Sequence, residues 1–323
     1  MKKKYSLGVY GILFALGLFV TPGAMSAESS ASASGPITVA VGVDPSFAPF
    51  FVADAEGMFK KHGLNVQVQQ YANGGAAADA LVARSADVAG VPDYNLLIRA
   101  PRADLKALGV YVEDEGNYVS VVAKKDISKP QDIKRIGIVP GTFSEYAADR
   151  FVKAYDLHSV KVVNAGPPEM VGLLAKDAID AFILWEPWPA KAVTLGDKVL
   201  MPIREFKLSY VQLATTRADW LDKHQEQAKA FMQALSEATS YINKNPAKAA
   251  SVMKAAAHIP ENLTEMAVKQ LQFGVRDISK SDYKNFNSML DFLTERKLIK
   301  KRAALDSLIV HGYVVDANSK QGE

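Results

Sequence analysis

Short apolar runs alternate along the chain with stretches whose apolar residues recur at helical spacing. The run Ile37 to Val43 has the β-branched, almost continuously apolar composition of a buried strand. Residues 50–62 follow with a helical pattern, and Gly63 stands where a left-handed residue would end that helix. Strands that alternate with helices in this way are typical of α/β architecture with parallel sheets.

The alternation predicts two series of elements, the second beginning after Lys129 and Pro130. The first series has strands at 37–43, 64–70, 87–91, 105–112 and 118–123, with helices at 50–62 and from Gly75 to Arg84. The second has strands at 135–139, 160–163, 181–184, 199–203 and 210–214, with helices at 143–155 and 168–176. Beyond Arg217 the pattern is helical, most clearly over 225–244. We therefore expect two similar α/β lobes with helical material appended.

The first 27 residues have the three-part pattern of a secretory signal peptide. Lys2 to Lys4 form a basic start, an uncharged apolar run covers about 7–20, and small residues continue to Ala27. An apolar core of about 14 residues is shorter than the roughly 20 that a membrane-spanning helix needs. We expect 1–27 to be cleaved, 28–36 to form a flexible leader, and the mature protein to be soluble and exported.

Composition narrows the possible functions. The 323 residues are 49% apolar and 23% charged, as in globular proteins of about two domains. The absence of Cys excludes disulfide scaffolds, thiolate metal sites, a Cys nucleophile and a lipid-modified N-terminal Cys, so no lipoprotein is expected. The formal net charge of +3 falls to zero without Lys2, Lys3 and Lys4. A neutral chain offers no electrostatic basis for binding nucleic acid.

Catalytic signatures are missing from the sequence. The five His residues are scattered and form no His-Glu-x-x-His pattern, and neither a Gly-x-Ser-x-Gly nor a phosphate-binding glycine motif occurs in the mature chain. These motifs therefore indicate no catalytic residue, no metal ion and no cofactor, and by themselves they leave the choice between an enzyme and a binding protein open.

Polar or small residues follow several predicted strands directly before a helix. In open α/β sheets such turns line the ligand crevice at the carboxyl ends of the strands. Each turn also has a structural interpretation, as a stiffened loop, a helix cap or core packing. Glycines there allow close approach of a ligand, helix N–H groups favour an anion, and aromatic rings offer flat walls. The candidate ligand-binding residues are Ser46, Phe47, Asn73, Gly74, Gly75, Asp93, Tyr94, Tyr118, Gly141, Thr142, Phe143, Trp185 and Glu186.

These segments resemble the solute-binding proteins of ABC importers of the sulfonate, taurine and nitrate type, which include thiamine-pyrimidine binders. The resemblance rests on Phe47 to Leu64, Gly74-Gly75, Leu81 to Asp87, Gly141-Thr142, Leu174 to Asp180, and Trp185 to Pro187. Ser85 and Asp177 depart from it, since glycine is common there in that family. The resemblance implies a type II periplasmic binding fold, in which two lobes close on the ligand. Lobe 1 would comprise 37–117 and 215–323, lobe 2 would comprise 118–214, and strands near 118–123 and 210–216 would form the hinge.

The resemblance also implies a function. The chain would capture a small organic nutrient in the periplasm as a monomer and deliver it to a membrane permease, whose ATPase partner hydrolyses ATP. An organosulfonate or related small acid is the first expectation. Because no Arg or Lys falls on the candidate turns, a pyrimidine-like or amine-bearing nutrient paired with Asp93 or Glu186 is an alternative. A secreted sensor subunit on the same fold is another.

Overall fold

The strands of residues 35–314, the part of the chain that the computed structural model describes, form two mixed sheets. The predicted signal peptide lies outside the described residues. The six-stranded sheet of lobe 1 contains β1 (Ile37–Gly42), β2 (Val66–Tyr71), β3 (Val88–Pro92), β4 (Leu105–Asp114), β10 (Tyr210–Arg217) and β11 (Gln272–Arg276), in the order β11-β4-β10-β3-β1-β2. The five-stranded sheet of lobe 2 contains β5 (Val119–Ala123), β6 (Arg135–Ile138), β7 (Lys161–Asn164), β8 (Ala181–Trp185) and β9 (Lys198–Pro202), in the order β7-β6-β8-β5-β9.

The expected two-lobed α/β fold is confirmed, but the sheets are not mainly parallel. In each lobe three strands pair in parallel, β2-β1-β3 and β7-β6-β8. The chain then enters each sheet from the other lobe, and the entering strands run the opposite way. Accordingly β10 is antiparallel to β3 and β4, and β5 is antiparallel to β8 and β9.

The helices follow the apolar periodicity of the sequence. They are α1 (Ala48–Ala55), α2 (Met58–Lys61), α3 (Gly74–Val82), α4 (Asp93–Arg99), α5 (Phe143–Ala154), α6 (Pro167–Ala175), α7 (Trp188–Thr194), α8 (Ala218–Leu221), α9 (Gln225–Lys244), α10 (Pro246–Ala257), α11 (Glu261–Val268), α12 (Lys280–Glu295) and α13 (Leu305–Leu308). The helix predicted at 50–62 is broken at Gly57, whose φ is +70°, whereas Gly63 ends α2 at φ +74° as predicted. The helical tail is interrupted by β11, which the pattern did not reveal. Within residues 35–314, no helix combines the length and the apolar character needed to cross a bilayer.

The chain crosses between the lobes twice, after β4 and before β10. At the first crossing the Asp114 carboxylate accepts hydrogen bonds from the backbone N–H groups of Gly116, Asn117, Tyr118 and Val119, at 2.6–3.2 Å. This side chain therefore fixes the turn that leads into lobe 2. At the second crossing β10 pairs with β4 along its whole length, so residues 210–214, predicted to belong to lobe 2, lie in the lobe 1 sheet.

Helix α5 carries an aromatic contact between the lobes. The ring of Phe143 lies 5.1 Å from that of Tyr210, and Tyr146 packs between Tyr94 and Phe292 of lobe 1. These residues belong to an apolar core that is continuous from one lobe to the other, on the face of the five-stranded sheet that α5 covers. The opposite face, covered by α6 and α7, has a separate smaller core.

Candidate functional site

A small closed cavity lies between the lobes at the ends of the central strands. Its volume is about 20 Å³, room for about one water molecule. Lobe 1 contributes the turns after β1, β2 and β3 together with β10, and lobe 2 contributes β5 and the turns after β6 and β8. The lining residues are Asp44, Phe47, Asn73, Gly74, Pro92, Asn95, Val119, Thr142, Phe143, Trp185, Tyr210 and Gln212.

Asp44 is the acidic group of the cavity. Its Oδ1 accepts hydrogen bonds from the Tyr118 hydroxyl at 2.8 Å and the Ser46 backbone N–H at 3.0 Å, and the Ser46 hydroxyl also contacts it. Its Oδ2 has no hydrogen-bond partner within residues 35–314. Burial raises the pKa of Asp44 from 3.8 to about 6, although the bonds from Ser46 and Tyr118 act to lower it. The carboxyl group can therefore accept a hydrogen bond from a ligand, and below about pH 6, where it is protonated, it can donate a hydrogen bond to one.

A chain of buried hydrogen bonds holds Asp44 in place. The Tyr111 hydroxyl donates to Gln212 Oε1, Gln212 Nε2 donates to Ser46 Oγ, and Ser46 reaches Asp44. Gln212 lies on β10, so the chain of bonds joins the turn after β1 to the strand that follows the second crossing. The Asp44 carboxylate is thus oriented before any ligand arrives.

Asn95 supplies an unpartnered amide. The residue lies on α4, is only 2% exposed, and lines the cavity. Its Oδ1 is buried and has no hydrogen-bond partner among the described residues. A buried polar atom without a partner costs about 1–3 kcal/mol, so this oxygen is an acceptor available to a bound molecule.

Aromatic side chains form the remaining walls. Phe47, Phe143, Trp185 and Tyr210 come from four separate elements of the two lobes. The Phe47 ring packs so closely on Gly42 that a Cβ there would lie 2.5 Å from the ring. A side chain at Gly42 would therefore displace this wall. The walls suit a flat, partly apolar ligand.

Two of the N–H donors that an anion could use are already occupied at the turn before α3. Asn73 Oδ1 accepts hydrogen bonds from the N–H groups of Gly75 at 2.9 Å and Ala76 at 3.0 Å. Asn73 is thus a helix cap, the structural role weighed for this turn.

The turn before α5 is capped in a similar way. The Thr142 hydroxyl donates to the Val139 carbonyl oxygen at 2.8 Å and accepts from the Ser144 N–H at 3.3 Å. Its one proton is therefore committed within the protein.

The guanidinium of Arg99 lies behind the cavity and is already paired. It donates to both carboxylate oxygens of Asp79, at 2.9 and 2.7 Å, and to the carbonyl oxygens of Asn95 and Gly141. Within residues 35–314, no Arg or Lys lines the cavity. A strongly anionic ligand would meet a carboxylate here and no compensating cation.

The structure gathers six of the thirteen candidate residues around the cavity and places seven elsewhere. The six are Phe47, Asn73, Gly74, Thr142, Phe143 and Trp185; the seven are Ser46, Gly75, Asp93, Tyr94, Tyr118, Gly141 and Glu186. Ser46 and Tyr118 lie directly behind Asp44, which they orient. Gly75 and Gly141 belong to the two turns but do not line the cavity, and the Tyr94 hydroxyl donates to Glu145 at 2.9 Å across the lobes.

Asp93 is turned away from the cavity. Its carboxylate accepts hydrogen bonds from the N–H groups of Tyr94 at 2.7 Å and Val211 at 3.2 Å, and it is 1% exposed. Burial raises the pKa of Asp93 to about 8, with a smaller contribution from the negative charge of Asp282. In this arrangement it ties α4 to β10 rather than facing a ligand.

Glu186 also points away from the cavity. Its carboxylate accepts a hydrogen bond from the Ala190 N–H of α7 at 3.1 Å, and its backbone carbonyl oxygen accepts from the Tyr118 hydroxyl at 2.9 Å. Burial raises the pKa of Glu186 to about 7. The pairing of a ligand amine with Asp93 or Glu186 therefore has no support from the cavity.

Six lining residues are not among the thirteen candidates, namely Asp44, Pro92, Asn95, Val119, Tyr210 and Gln212. Asp44 and Pro92 belong to turns that the sequence did single out. Asn95 lies inside a helix and Gln212 inside a strand, where no local pattern marks them.

Several known proteins with similar sequences or folds are binding proteins. The taurine-binding periplasmic protein of Escherichia coli is 25% identical over 65% of this chain and 68% of its own length. The periplasmic aliphatic sulphonate binding protein SsuA of Escherichia coli has the same fold, with a TM-score of 0.75 at 14% identity over 87% of this chain and 94% of its own. The nitrate-binding protein NrtA of Synechocystis gives a TM-score of 0.67 at 17% identity, covering 84% of this chain and 83% of its own.

These comparisons confirm the expected resemblance to solute-binding proteins of ABC importers, and the expectation of a binding protein rather than an enzyme. The family model described as NMT1/THI5 like matches residues 44–249, well over half of the chain. The chain therefore belongs to the NMT1/THI5-like family.

Proposed function

We propose that this chain is the solute-binding component of an ABC importer, which captures a small organic solute between its two lobes and delivers it to a membrane permease with an ATPase partner. Three features support the proposal: the relatives just described, two lobes joined by two crossings, and a cavity at the strand ends. Export to the periplasm is part of the proposal and is supported by the periplasmic relative and the signal-like N-terminus; the further proposal is that the chain acts there as a monomer.

Binding requires the lobes to separate and close again. A cavity of about 20 Å³ admits no organic nutrient. The two crossings, after Asp114 and before Tyr210, are the segments about which such a motion takes place. The described arrangement corresponds to closed lobes.

A flat solute that carries an amino or other N–H donor group fits this cavity best. The observation that carries this choice is the pair of acceptors, Asp44 and Asn95, set among aromatic walls with no Arg or Lys in the described lining. The amino group would lie between Asp44 Oδ2 and Asn95 Oδ1, and the ring would stack on the walls. A pyrimidine-like nutrient has this chemistry.

An organosulfonate is the second candidate, favoured by the taurine-binding relative. Taurine itself carries an ammonium group that Asp44 would accept. Its sulfonate, however, needs N–H or O–H donors, and the Asn73 and Thr142 caps already occupy three of the N–H groups at the two helix turns. An aminosulfonate therefore fits better than a simple sulfonate.

A thermal-shift screen with matched ligand pairs tests both candidates. The pairs are 4-aminopyrimidine against 4-methylpyrimidine, and taurine against isethionate, which replaces the ammonium with a hydroxyl. A ligand at a hundred times its dissociation constant adds about 2.7 kcal/mol to the free energy of unfolding, enough to raise Tm by several degrees. We expect the amine-bearing member of a pair to raise Tm and its partner to have little effect.

Asp44→Asn supplies the control, because it removes the charge while keeping the size of the side chain. It should weaken binding of the amine-bearing ligand by about tenfold or more and leave amine-free ligands unaffected. Stabilisation by isethionate or nitrate that is indifferent to Asp44→Asn would contradict the amine proposal. Absence of any small-molecule ligand, including one co-purified and detectable by mass spectrometry, would contradict the importer function itself.

A further inference from the structure

A second opening lies between the lobes, on the other face of β5 from the closed cavity. Val119 lines the closed cavity, and the next residue along the strand, Ser120, faces the opposite way. There a groove of about 320 Å³ is lined by Asn117, Ser120, Glu186, Val199 and Pro202 of lobe 2 and by Lys269 and Gln270 of lobe 1. We call it the Glu186 groove.

The acid of this groove is incompletely paired. Glu186 is 5% exposed, and its only side-chain hydrogen bond within residues 35–314 is the one from the Ala190 N–H to Oε2. The second carboxylate oxygen is left for a donor in the groove. A buried carboxylate with a single neutral donor is costly to keep charged, which is consistent with its raised pKa.

Another acceptor of the groove comes from lobe 1. Gln270 Oε1 is buried and has no hydrogen-bond partner among the described residues. Glu186 and Gln270 both line the groove, so each lobe contributes one residue with an unpaired acceptor to its lining. Both are complementary to an N–H donor, and a primary ammonium group carries three.

A base lines the same groove. Lys269 is exposed and forms no ion pair within residues 35–314, with Glu186 or with any other acid. Of the other cations nearby, Arg204 is held by Asn117 and Glu205. The groove thus offers one acid and one base that do not neutralise each other.

We propose that the Glu186 groove is a second binding site, which takes a small zwitterion with its ammonium group against Glu186 and Gln270 and its anionic end against Lys269. A molecule with both charges satisfies the acid, the base and the buried amide together, whereas a single charge satisfies only one side. Because the residues come from both lobes, the bound zwitterion bridges them. The proposal does not depend on which solute the closed cavity takes.

Titration of the ¹⁵N-labelled protein with β-alanine, followed by two-dimensional NMR, tests this site. We expect saturable shifts of the amide signals of Ser120, Glu186 and Gln270, with a dissociation constant that is independent of any shift of Gly74 and Thr142 at the closed cavity. Propionate and propylammonium, which carry one charge each, should bind at least about tenfold more weakly.

Two variants report on the two ends of the ligand. Glu186→Gln keeps the bond from Ala190 and should weaken β-alanine binding by about tenfold, and Lys269→Met, at an exposed position that does not endanger folding, should do the same. Asn95→Leu in the closed cavity should leave the β-alanine-induced shifts of Ser120, Glu186 and Gln270 unchanged. The proposal is overturned if the shifts appear only around Gly74 and Thr142, if no saturable shift occurs, or if both groove variants bind β-alanine as the wild type does. If Lys269 and Glu186 formed a direct ion pair in solution, no saturable shift would occur.

Discussion

The hydroxyl of Tyr118 lies 2.8 Å from Asp44 Oδ1 and also 2.9 Å from the carbonyl oxygen of Glu186. A hydroxyl has one proton, so these two acceptors compete for it. Tyr118 directly follows the first crossing, and its hydroxyl joins the turn after β1 in lobe 1 to the end of β8 in lobe 2. The acid of the cavity is therefore coupled to the hinge.

Replacing Tyr118 with Phe should raise the pKa of Asp44 above its value of about 6, because the variant removes a bond that favours the charged carboxylate. Loss of one buried hydrogen bond should also lower the free energy of unfolding by about 1 kcal/mol. NMR titration of the Asp44 carboxyl carbon measures the pKa, and urea unfolding measures the stability. Tyr111→Phe is the matched control: it removes a buried hydroxyl that bonds to Gln212 instead, so a similar stability loss with a smaller pKa change is expected.

Asp114 should prove more important to stability than its single side chain suggests. Asp114→Ala removes the acceptor of four backbone N–H groups at the first crossing, and we expect a loss of about 3 kcal/mol. Asp114→Asn keeps one oxygen acceptor and should lose less. Urea unfolding of both variants checks the order, and an Ala variant as stable as the wild type would show that the turn holds without the carboxylate.

The pH dependence of stability should reflect Asp93. Its pKa is about 8 in the folded protein against 3.8 unfolded, so between about pH 4 and 8 the folded state binds more protons than the unfolded state. The stabilisation is therefore fully present below pH 4 and is lost as the pH rises towards 8. Each pH unit in this window lowers the free energy of unfolding by at most about 1.4 kcal/mol per such group.

Asp93→Asn should flatten the slope of unfolding free energy between pH 5 and 8, measured in urea. The slope should not vanish, because burial raises the pKa of Asp44, Asp114 and Glu186 as well. Asp180→Asn is the control. The pKa of Asp180 is lowered by Arg135 and by backbone N–H groups, so its contribution is lost only at pH values below this window. An unchanged slope in Asp93→Asn would mean that this carboxyl is ionised in the folded protein.

We expect Asn95 to lower the stability of the free protein and to strengthen ligand binding. Asn95→Leu removes a buried amide oxygen that has no partner in the described chain, so the free protein should gain about 1 kcal/mol or remain as stable. The same change should weaken binding of an amine-bearing solute by about tenfold. Thermal melts with and without ligand separate the two effects.

Thr264 gives the matched control for Asn95. Its hydroxyl is also buried without a partner among the described residues, but it lies on α11 and does not line the cavity. Thr264→Val should resemble Asn95→Leu in the free protein while leaving the ligand-induced shift in Tm intact. Equal loss of binding in both variants would argue against a direct role for Asn95.

The alternation of strands and helices was predictable from the sequence because burial leaves a local periodicity. Helix α9 at Gln225–Lys244 coincides with its prediction, since a long amphipathic stripe contains the whole signal. β11 was missed because this short strand at the sheet edge has one buried residue, Phe273, whose two neighbours in the sequence are exposed. The mixed sheet direction depends on where the chain returns from the other lobe, which no local pattern encodes.

The sequence predicted which turns contribute to the site, but not which side chains of those turns line it. Candidates were chosen because they lie at or just after the ends of predicted strands, and six of them, including Phe47 and Trp185, line the cavity. Which side chain of a turn faces inward depends on packing, and so Asp44 lines the cavity while Ser46 supports it. Gln212 reaches Ser46 over 166 positions of sequence, a pairing set by the register of β10 in the sheet.

The aromatic contact made by α5 has a thermodynamic consequence. Because Phe143 and Tyr146 belong to a core that is continuous between the lobes, separating the lobes exposes rings to water, and closing them removes that surface again. Burial of apolar surface lowers the heat capacity. Calorimetry at several temperatures should therefore give a negative heat-capacity change of binding that is larger than burial of the solute alone would produce, with part of it disappearing in Phe143→Ala. Much of the enthalpy of binding would then come from the contacts that form between the two lobes, and less of it from the contacts with the solute.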